Sequence, residues 1–240
     1  MPFLPPLARA AGVLEIIDGP PVPFKDMACC MTDISRVNAL FGGRMVTMVH
    51  VKRLLATLPP DRLVTVLDVG TGAGDIPREL VRWARRQGRR IRIFALDRDA
   101  ATLQIAATLV RDYPEITFVR GDALALPIRA GSVDLTISAM TLHHLEPDAG
   151  VRYLAEMDRA ARVGFVVNDL VRGRVAHFVV WLITRFITRS AISRHDGPLS
   201  VRRSYTPSEV SELCEQAGLQ GVDVVHHWPY FRFCAVRAKP

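Results

Sequence analysis

The run Val64-Thr65-Val66-Leu67-Asp68-Val69, followed at once by Gly70, Gly72 and Gly74, constrains this chain more than any other feature. An uninterrupted apolar run rich in β-branched residues is the pattern of a strand buried on both faces. A helical pattern follows from Ile76 to Arg86, with Pro77 in its first turn, where a missing N–H is harmless. Strand, glycine turn and helix N-terminus together make a place where backbone can approach a ligand closely. The spacing is G-x-G-x-G. The dinucleotide fingerprint needs a glycine where Asp75 stands. Taken alone, the turn also fits a structural bend that binds nothing.

Acids at the ends of later strands raise the specificity. The run Ile91 to Leu96 ends in Asp97, and a carboxylate at the end of a second strand can accept both hydroxyls of a ribose. A third run, Ile116 to Val119, leads into Arg120-Gly121-Asp122-Ala123, and a fourth, Val133 to Ser138, into Ala139-Met140-Thr141-Leu142-His143-His144-Leu145. From residue 61 to 168 the pattern reads strand, helix, strand, helix, strand, short helix, strand, helix, strand, the last being Gly164 to Val167. Such alternation gives a parallel sheet with helices on both faces. Ligands in these sheets bind beyond the carboxyl ends of the strands, which gathers Gly70, Asp97, Asp122, Ser138, Asn168 and Asp169 along one edge.

The combination VLDVGTGAG, FALDRD, GDALALP and DLTISAMTLHHL resembles the class I S-adenosylmethionine-dependent methyltransferases, over roughly residues 60 to 170 and more loosely beyond. The resemblance implies an α/β, three-layer Rossmann-like fold: a seven-stranded, mostly parallel sheet with an antiparallel last strand. It implies S-adenosylmethionine as cofactor and S-adenosylhomocysteine as product. It places Gly70, Thr71, Gly72 and Gly74 by the amino-acid part of the cofactor, with Asp68 balancing the cationic end. Asp97 takes the ribose, Arg98 covers the adenine, Asp122 accepts from the adenine amino group, Ala123 offers its N–H, and Ser138 and Ala139 lie by the methionine part. Within the family the chain is similar to bacterial small-molecule enzymes related to quinone biosynthesis. The segment NDLVRGR…SRHDGPLSVRRSYTP resembles members acting in polyketide or phenolic-lipid pathways. SAMT stands where amino-directed nucleic-acid methyltransferases carry a DPPY-type tetrad, so no nucleic-acid substrate is expected.

A phenol or enol nucleophile gains from a base that titrates near neutrality, which histidine supplies. His143 and His144 are one candidate; His195, beside Asp196, is the other. A histidine after the fourth strand also fits a loop-positioning role. Asn168, Asp169, Arg202 and Arg203 are the candidate substrate contacts. Residues 170 to 203 hold seven arginines against one acid, which suits an apolar acceptor bearing a phenolate or carboxylate held by Arg202 or Arg203. The expected reaction is O-methylation of a phenolic, quinol or polyketide-like small molecule. The alternatives are C-methylation of a quinone or lipid precursor, or a non-catalytic membrane-surface or partner-binding module. A nicotinamide-dependent reductase is disfavoured, because neither a glycine at position 75 nor a Tyr-x-x-x-Lys is present.

The remaining sequence sets the frame. The expected division is an N-terminal extension and helical lid over 1–60, then a cofactor-binding core over 61–240 with a helical insert at about 170–205. Residues 1 to 24 are proline-rich and read as surface-wrapping. Lys25 to Leu40 and Arg44 to Leu58 read as two helices, either a lid over the cofactor or simple packing. Val175 to Thr184 carries no formal charge but is too short to span a membrane, which needs about 20 apolar residues. It fits core packing, a pocket wall or an interfacial membrane contact. Arg194 to Tyr205 reads as a polar loop, Thr206-Pro207-Ser208-Glu209 as a capping box, and Val222 to Trp228 and Phe231 to Arg237 as two strands. Cys29, Cys30, Cys214 and Cys234 lack C-x-x-C spacing, so neither a metal site nor a disulfide framework is expected. The prolines of the N-terminus interrupt any signal-peptide core, giving a cytoplasmic reading with peripheral membrane contact left open. The net charge of +7 includes Arg78, Arg82, Arg85, Arg86, Arg89, Arg90 and Arg92, a pattern read as a solvated helix face without the interleaved aromatics of single-strand binding.

Overall fold

The apolar run becomes β1 (Val64–Val69), and the computed structural model, which describes residues 6–239, builds a seven-stranded sheet around it. The other strands are β2 (Ile91–Asp97), β3 (Ile116–Arg120), β4 (Val133–Ala139), β5 (Ala161–Leu170), β6 (Val222–His227) and β7 (Arg232–Ala238). Their order is β3-β2-β1-β4-β5-β7-β6. β7 runs antiparallel to both its neighbours, and the other pairings are parallel. The chain winds outward from β1 through β2 to β3, then returns to β4 on the other side. The crevice at that reversal lies beyond the carboxyl ends of β1 and β4, the place where such sheets bind ligands.

Both faces of the sheet are covered, which is why its strands read as continuous apolar runs rather than alternations. Val64 and Val66 face α2 (Gly43–Leu55) and α3 (Asp75–Arg86), in a cluster with Val51, Leu54, Leu80 and Val81. Leu67 and Val69 face α5 (Pro147–Ala160) and α8 (Pro207–Gln216), with Leu154, Met157, Val210 and Leu213. Each fully buried Leu or Val stabilises by about 1.5–3 kcal/mol through area removed from water. The capping box forms as expected, Thr206 accepting from the Glu209 N–H while Glu209 accepts from the Thr206 N–H.

Of the remaining helices, α1 (Phe24–Leu40), α6 (Arg174–Ile187) and α7 (Ala191–Arg203) line a cavity beyond the carboxyl edge, and α4 (Ala100–Leu109, on the β2–β3 crossover) packs against β2 and β3. α1 and α2 are separated at Phe41-Gly42, where Gly42 has φ +78° and an added Cβ would sit 2.3 Å from the Tyr230 ring. Arg89 donates to the Leu55 and Leu58 carbonyls and so finishes α2, while Arg85 pairs with Glu115 at 2.7 Å.

Three expectations are corrected. The link from β3 to β4 is a turn, not a short helix. Asp122 captures the Leu124 N–H and Glu156 the Leu126 N–H, so these amides are satisfied without a helix. The stretch Arg194 to Tyr205 is helical through Arg203 despite Pro198. Ser190 caps it, Ile192, Leu199 and Val201 are buried, and Gly197 lets it approach α6, an added Cβ lying 2.5 Å from Thr184 Cγ2. The helical insert expected at about 170–205 is therefore two helices, the first ending at Ile187, beyond which Asp33 accepts from the N–H groups of Arg189 and Ser190. Of the N-terminal segment, residues 1–5 lie outside the described residues. Most of residues 6–24 are exposed or half-buried, as a surface-wrapping segment should be. Arg9 pins the segment by bonding Glu146 and the Leu145 and Arg203 carbonyls, and Glu15 alone of Leu14–Asp18 is buried, at the cavity.

Candidate active site

A cavity of 770 Å³ opens beyond the carboxyl ends of β1, β2 and β4, under α1, α6, α7 and the Ile16–Asp18 turn. That size is usual for a small-molecule site. At one end stands the glycine turn. Gly70 has φ +73°, and a Cβ there would lie 2.3 Å from Thr141 Oγ1. Gly72 has φ +51° and faces open space except for Met31 Sδ at 3.8 Å, so backbone is presented bare to whatever binds. Asp97 holds the turn from β2, accepting the Gly72 N–H at 3.2 Å and the Asp99 N–H at 3.1 Å. Asp68, Thr71, Asp97, Asp122, Ala123 and Ala139 all line the cavity, as does Arg98, which bonds Asp18 at 2.8 Å.

Nine carboxylates line this space: Glu15, Asp18, Asp33, Asp68, Asp75, Asp97, Asp99, Asp122 and Asp196. Arg98, Arg232, His143 and His144 are the basic side chains among them. Crowding and burial show in the titration. Burial lifts the Asp68 carboxyl to about 7; the Thr71 hydroxyl opposes this and the charges of Asp75 and Asp97 add to it. Asp75 and Asp97 are raised as well, chiefly by burial. Such a field favours a cationic ligand.

His143, also in the lining, is buried and fixed. Its N–H donates to Asp169 Oδ2 at 3.0 Å, and its Nδ1 lies 2.7 Å from Asp169 Oδ1. Burial pushes Asp169 up, but the His143 ring, the Leu170 N–H and the His143 N–H together outweigh it and leave the carboxyl below its ordinary range. Asp169 thus engages Nδ1 and leaves Nε2 as the ring's second nitrogen. Nε2 lies 3.6 Å from Glu15 Oε1, a buried oxygen with no hydrogen-bond partner. Burial carries Glu15 to about 7, against the pull of His144. His144 bonds Asp18 at 2.6 Å.

Several residues expected in the site are elsewhere. Ser138 donates to the Val69 carbonyl and does not reach the cavity. Gly74 caps α3 and packs towards Val110. Asn168 donates to the Gly43 carbonyl and to Thr47, tying α2 to β5. Asp169 acts on His143 and lies behind it. His195 is on the outer face of α7, its ring 57% exposed, so it cannot serve as a base here. Arg203 is fully buried, but it holds the carbonyls of His143, His144 and Val13. Arg202 lies on the outer surface beside Arg174 and His177. No arginine of residues 170–203 lines the cavity, which overturns the idea of an arginine there for an acceptor anion. The sequence reading missed Glu15, Asp18, Asp33, Asp75 and Arg232. Only Asp75, directly after the glycines, carried a local signal.

Comparison with known proteins agrees with this layout. A methyltransferase domain family matches residues 66–164. A 2-phytyl-1,4-naphtoquinone methyltransferase of Thermosynechococcus vestitus is 30% identical over 185 residues, covering 69% of this chain and 75% of that one. The chain belongs to the class I S-adenosylmethionine-dependent methyltransferases. A demethylmenaquinone methyltransferase of a Roseiflexus species is 28% identical over 180 residues, covering 70% of this chain and 73% of its own. The fold is shared with an S-adenosylmethionine-dependent methyltransferase from Aquifex aeolicus, TM-score 0.54 at 20% identity, covering 77% of this chain and 87% of that one. S-adenosylmethionine is thus the cofactor. The residues present fit it: Gly72 presents bare backbone to the cavity, and the carboxylates of Asp68, Asp75 and Asp97 line the end where a sulfonium and an ammonium would be held.

Proposed function

We propose that this methyltransferase acts on a quinol-type ring bearing an apolar chain, with His143 taking the hydroxyl proton. The observation that carries the reading is the His143–Asp169 pair, buried between the glycine turn and the apolar wall of α6. The names of both relatives specify a quinone acceptor.

Asp97 receives the ribose, Asp122 and Ala123 the adenine, and Asp68 with Thr71 and Asp75 the ammonium end. Arg98 and the Ile16–Asp18 turn close over the nucleoside, so this turn and α1 act as a lid, while α2 packs on the sheet. The bound cofactor supplies a methyl group on a sulfonium, a good leaving group. Val179, Val180 and Ile183 of α6 receive the apolar chain. His143 Nε2 accepts the hydroxyl proton and Asp169 stabilises the resulting imidazolium. Glu15, next in line, passes the proton towards solvent. With that proton removed, the site would hold a nucleophilic ring anion beside the methyl group that the cofactor would supply. Alignment supplies much of the rate.

A ring anion is nucleophilic at oxygen and at the adjacent carbon. Oxygen is the first reading. The ring carbon is the second, favoured because the relatives' acceptors are named as quinones, whose oxygens are carbonyls until reduced. Incubation with labelled cofactor and a reduced short-chain naphthoquinol, followed by NMR of the product, tests both. Absence of any methylated ring with a cofactor-competent protein refutes the acceptor class.

A further inference from the structure

α6 has two apolar faces where a core helix needs one. Val179, Val180, Ile183 and Thr184 look into the cavity. On the opposite side Val175, Phe178, Leu182 and Phe186, spaced three and four apart, are 60%, 60%, 42% and 76% exposed, with Trp181 beside them at 45%. The rings of Phe178 and Trp181 stack with centroids 6.1 Å apart. Isolated exposed apolar residues are ordinary, but a continuous stripe along one helix marks an interaction surface.

The charges around the stripe identify what it meets. Across residues 171–205 the exposed charged side chains are Arg174, Arg185, Arg189, Arg194 and Arg202; the one acid, Asp196, is buried. The helix is 14 residues long, about 21 Å, too short to cross a bilayer but suited to lying in its interface. Among the described residues no helix is long and apolar enough to cross a membrane. Leu14, Leu40 and Tyr230 line the cavity and are also exposed, at 63%, 63% and 37%, so the mouth of the cavity is apolar too.

We propose that the outer face of α6 docks on an anionic lipid bilayer, aromatic and aliphatic side chains entering the headgroup region while the arginines contact lipid phosphates. α6 then separates bilayer from cavity, and the acceptor's apolar chain moves from lipid into the site past the mouth. This second step rests on the quinol reading above; the docking itself does not.

Co-sedimentation of the full chain with vesicles tests the docking, using phosphatidylcholine alone and phosphatidylcholine with phosphatidylglycerol, without acceptor. The native chain is expected to bind the anionic vesicles, to bind the neutral ones less, and to be released by salt. F178D/F186D should lower the bound fraction constant at least tenfold, with cofactor affinity by calorimetry unchanged as proof of folding. R185E/R189E should bring anionic binding down to the neutral level. No binding by the native chain, or equal binding by F178D/F186D, overturns the proposal. So does a native dimer that F178D/F186D converts to monomer without vesicle binding, because the face then belongs to a second copy. Intact vesicle binding with no methylation of a naphthoquinol would instead refute the acceptor reading alone.

Discussion

Asp68 should trade stability for cofactor binding, and Asp68→Asn exposes the trade. Its carboxyl titrates near 7 in the folded chain against 3.8 in the unfolded one. The folded state therefore holds the proton more tightly. The cofactor-free protein loses stability as pH rises from about 4 towards 7, and the loss is level above that. A gap of roughly three pH units at about 1.4 kcal/mol each amounts to on the order of 4 kcal/mol at pH 8. Asparagine keeps the shape without the charge. Recovery of only half, about 2 kcal/mol, would raise the Tm of a chain this size by about 4–8 °C. Scanning calorimetry of cofactor-free protein at pH 5 and pH 8 is the assay. Native protein should fall in Tm between the two, whereas the variant should fall less, retaining the share due to Glu15, which also titrates near 7. Cofactor affinity should move the opposite way, weaker in the variant. In native protein it should also weaken below pH 7, by up to about tenfold per pH unit, because the cation needs Asp68 ionised. An Asp68→Asn protein with the native pH dependence of Tm would refute the reasoning.

Three further outcomes follow from the same geometry. Asp97→Ala should raise the cofactor dissociation constant by roughly tenfold to a hundredfold, since bonds to a charged acceptor are worth about 1.5–3 kcal/mol; an unchanged constant in calorimetry would show that the ribose lies elsewhere. His143→Ala should cut turnover by about 10²- to 10⁴-fold with cofactor affinity nearly intact, while His195→Ala leaves turnover alone; equal losses in both would remove the base assignment. Arg203→Ala should destabilise by about 2–4 kcal/mol in denaturant melts, because it strands the carbonyls of His143, His144 and Val13 together with buried Glu15.

The sheet was legible because its signals are local. An apolar run closed by an acid and glycines specifies strand, turn and helix start within a dozen residues, and the acids Asp97 and Asp122 mark the ends of the next two strands. What failed depended on contacts between distant segments. Pro198 and the polar letters around it read as a loop, yet Gly197 against Thr184 and the Ser190 cap make the helix pay its way through packing. Arg203 was picked out as a charge near the site, but its carbonyl partners lie some sixty residues back in the chain, beyond what periodicity can report. Glu15 and Asp18 sit in a proline-rich stretch with no pattern of their own. They matter only because Arg9 and Arg98 fold that stretch onto the site.

The cavity is lined mainly by acids and the outer face of α6 and α7 is bordered by arginines, and that separation links the cofactor to the acceptor. Burial, with smaller contributions from neighbouring acids at Asp68 and Asp97, raises the proton affinity of the cavity acids and destabilises the cofactor-free state, a cost that a bound cationic ligand relieves. The exposed arginines Arg174, Arg185, Arg189, Arg194 and Arg202 point away from the cavity and Arg203 is taken up by backbone carbonyls, so the inner side of α6 can be wholly apolar apart from Thr184. An acid on the outer face of α6 would oppose an anionic lipid surface, and a further arginine turned in from α6 would add to Arg98 and Arg232 against a cationic ligand. The positions of the charges, more than their number, therefore determine which ligand each side of α6 can receive.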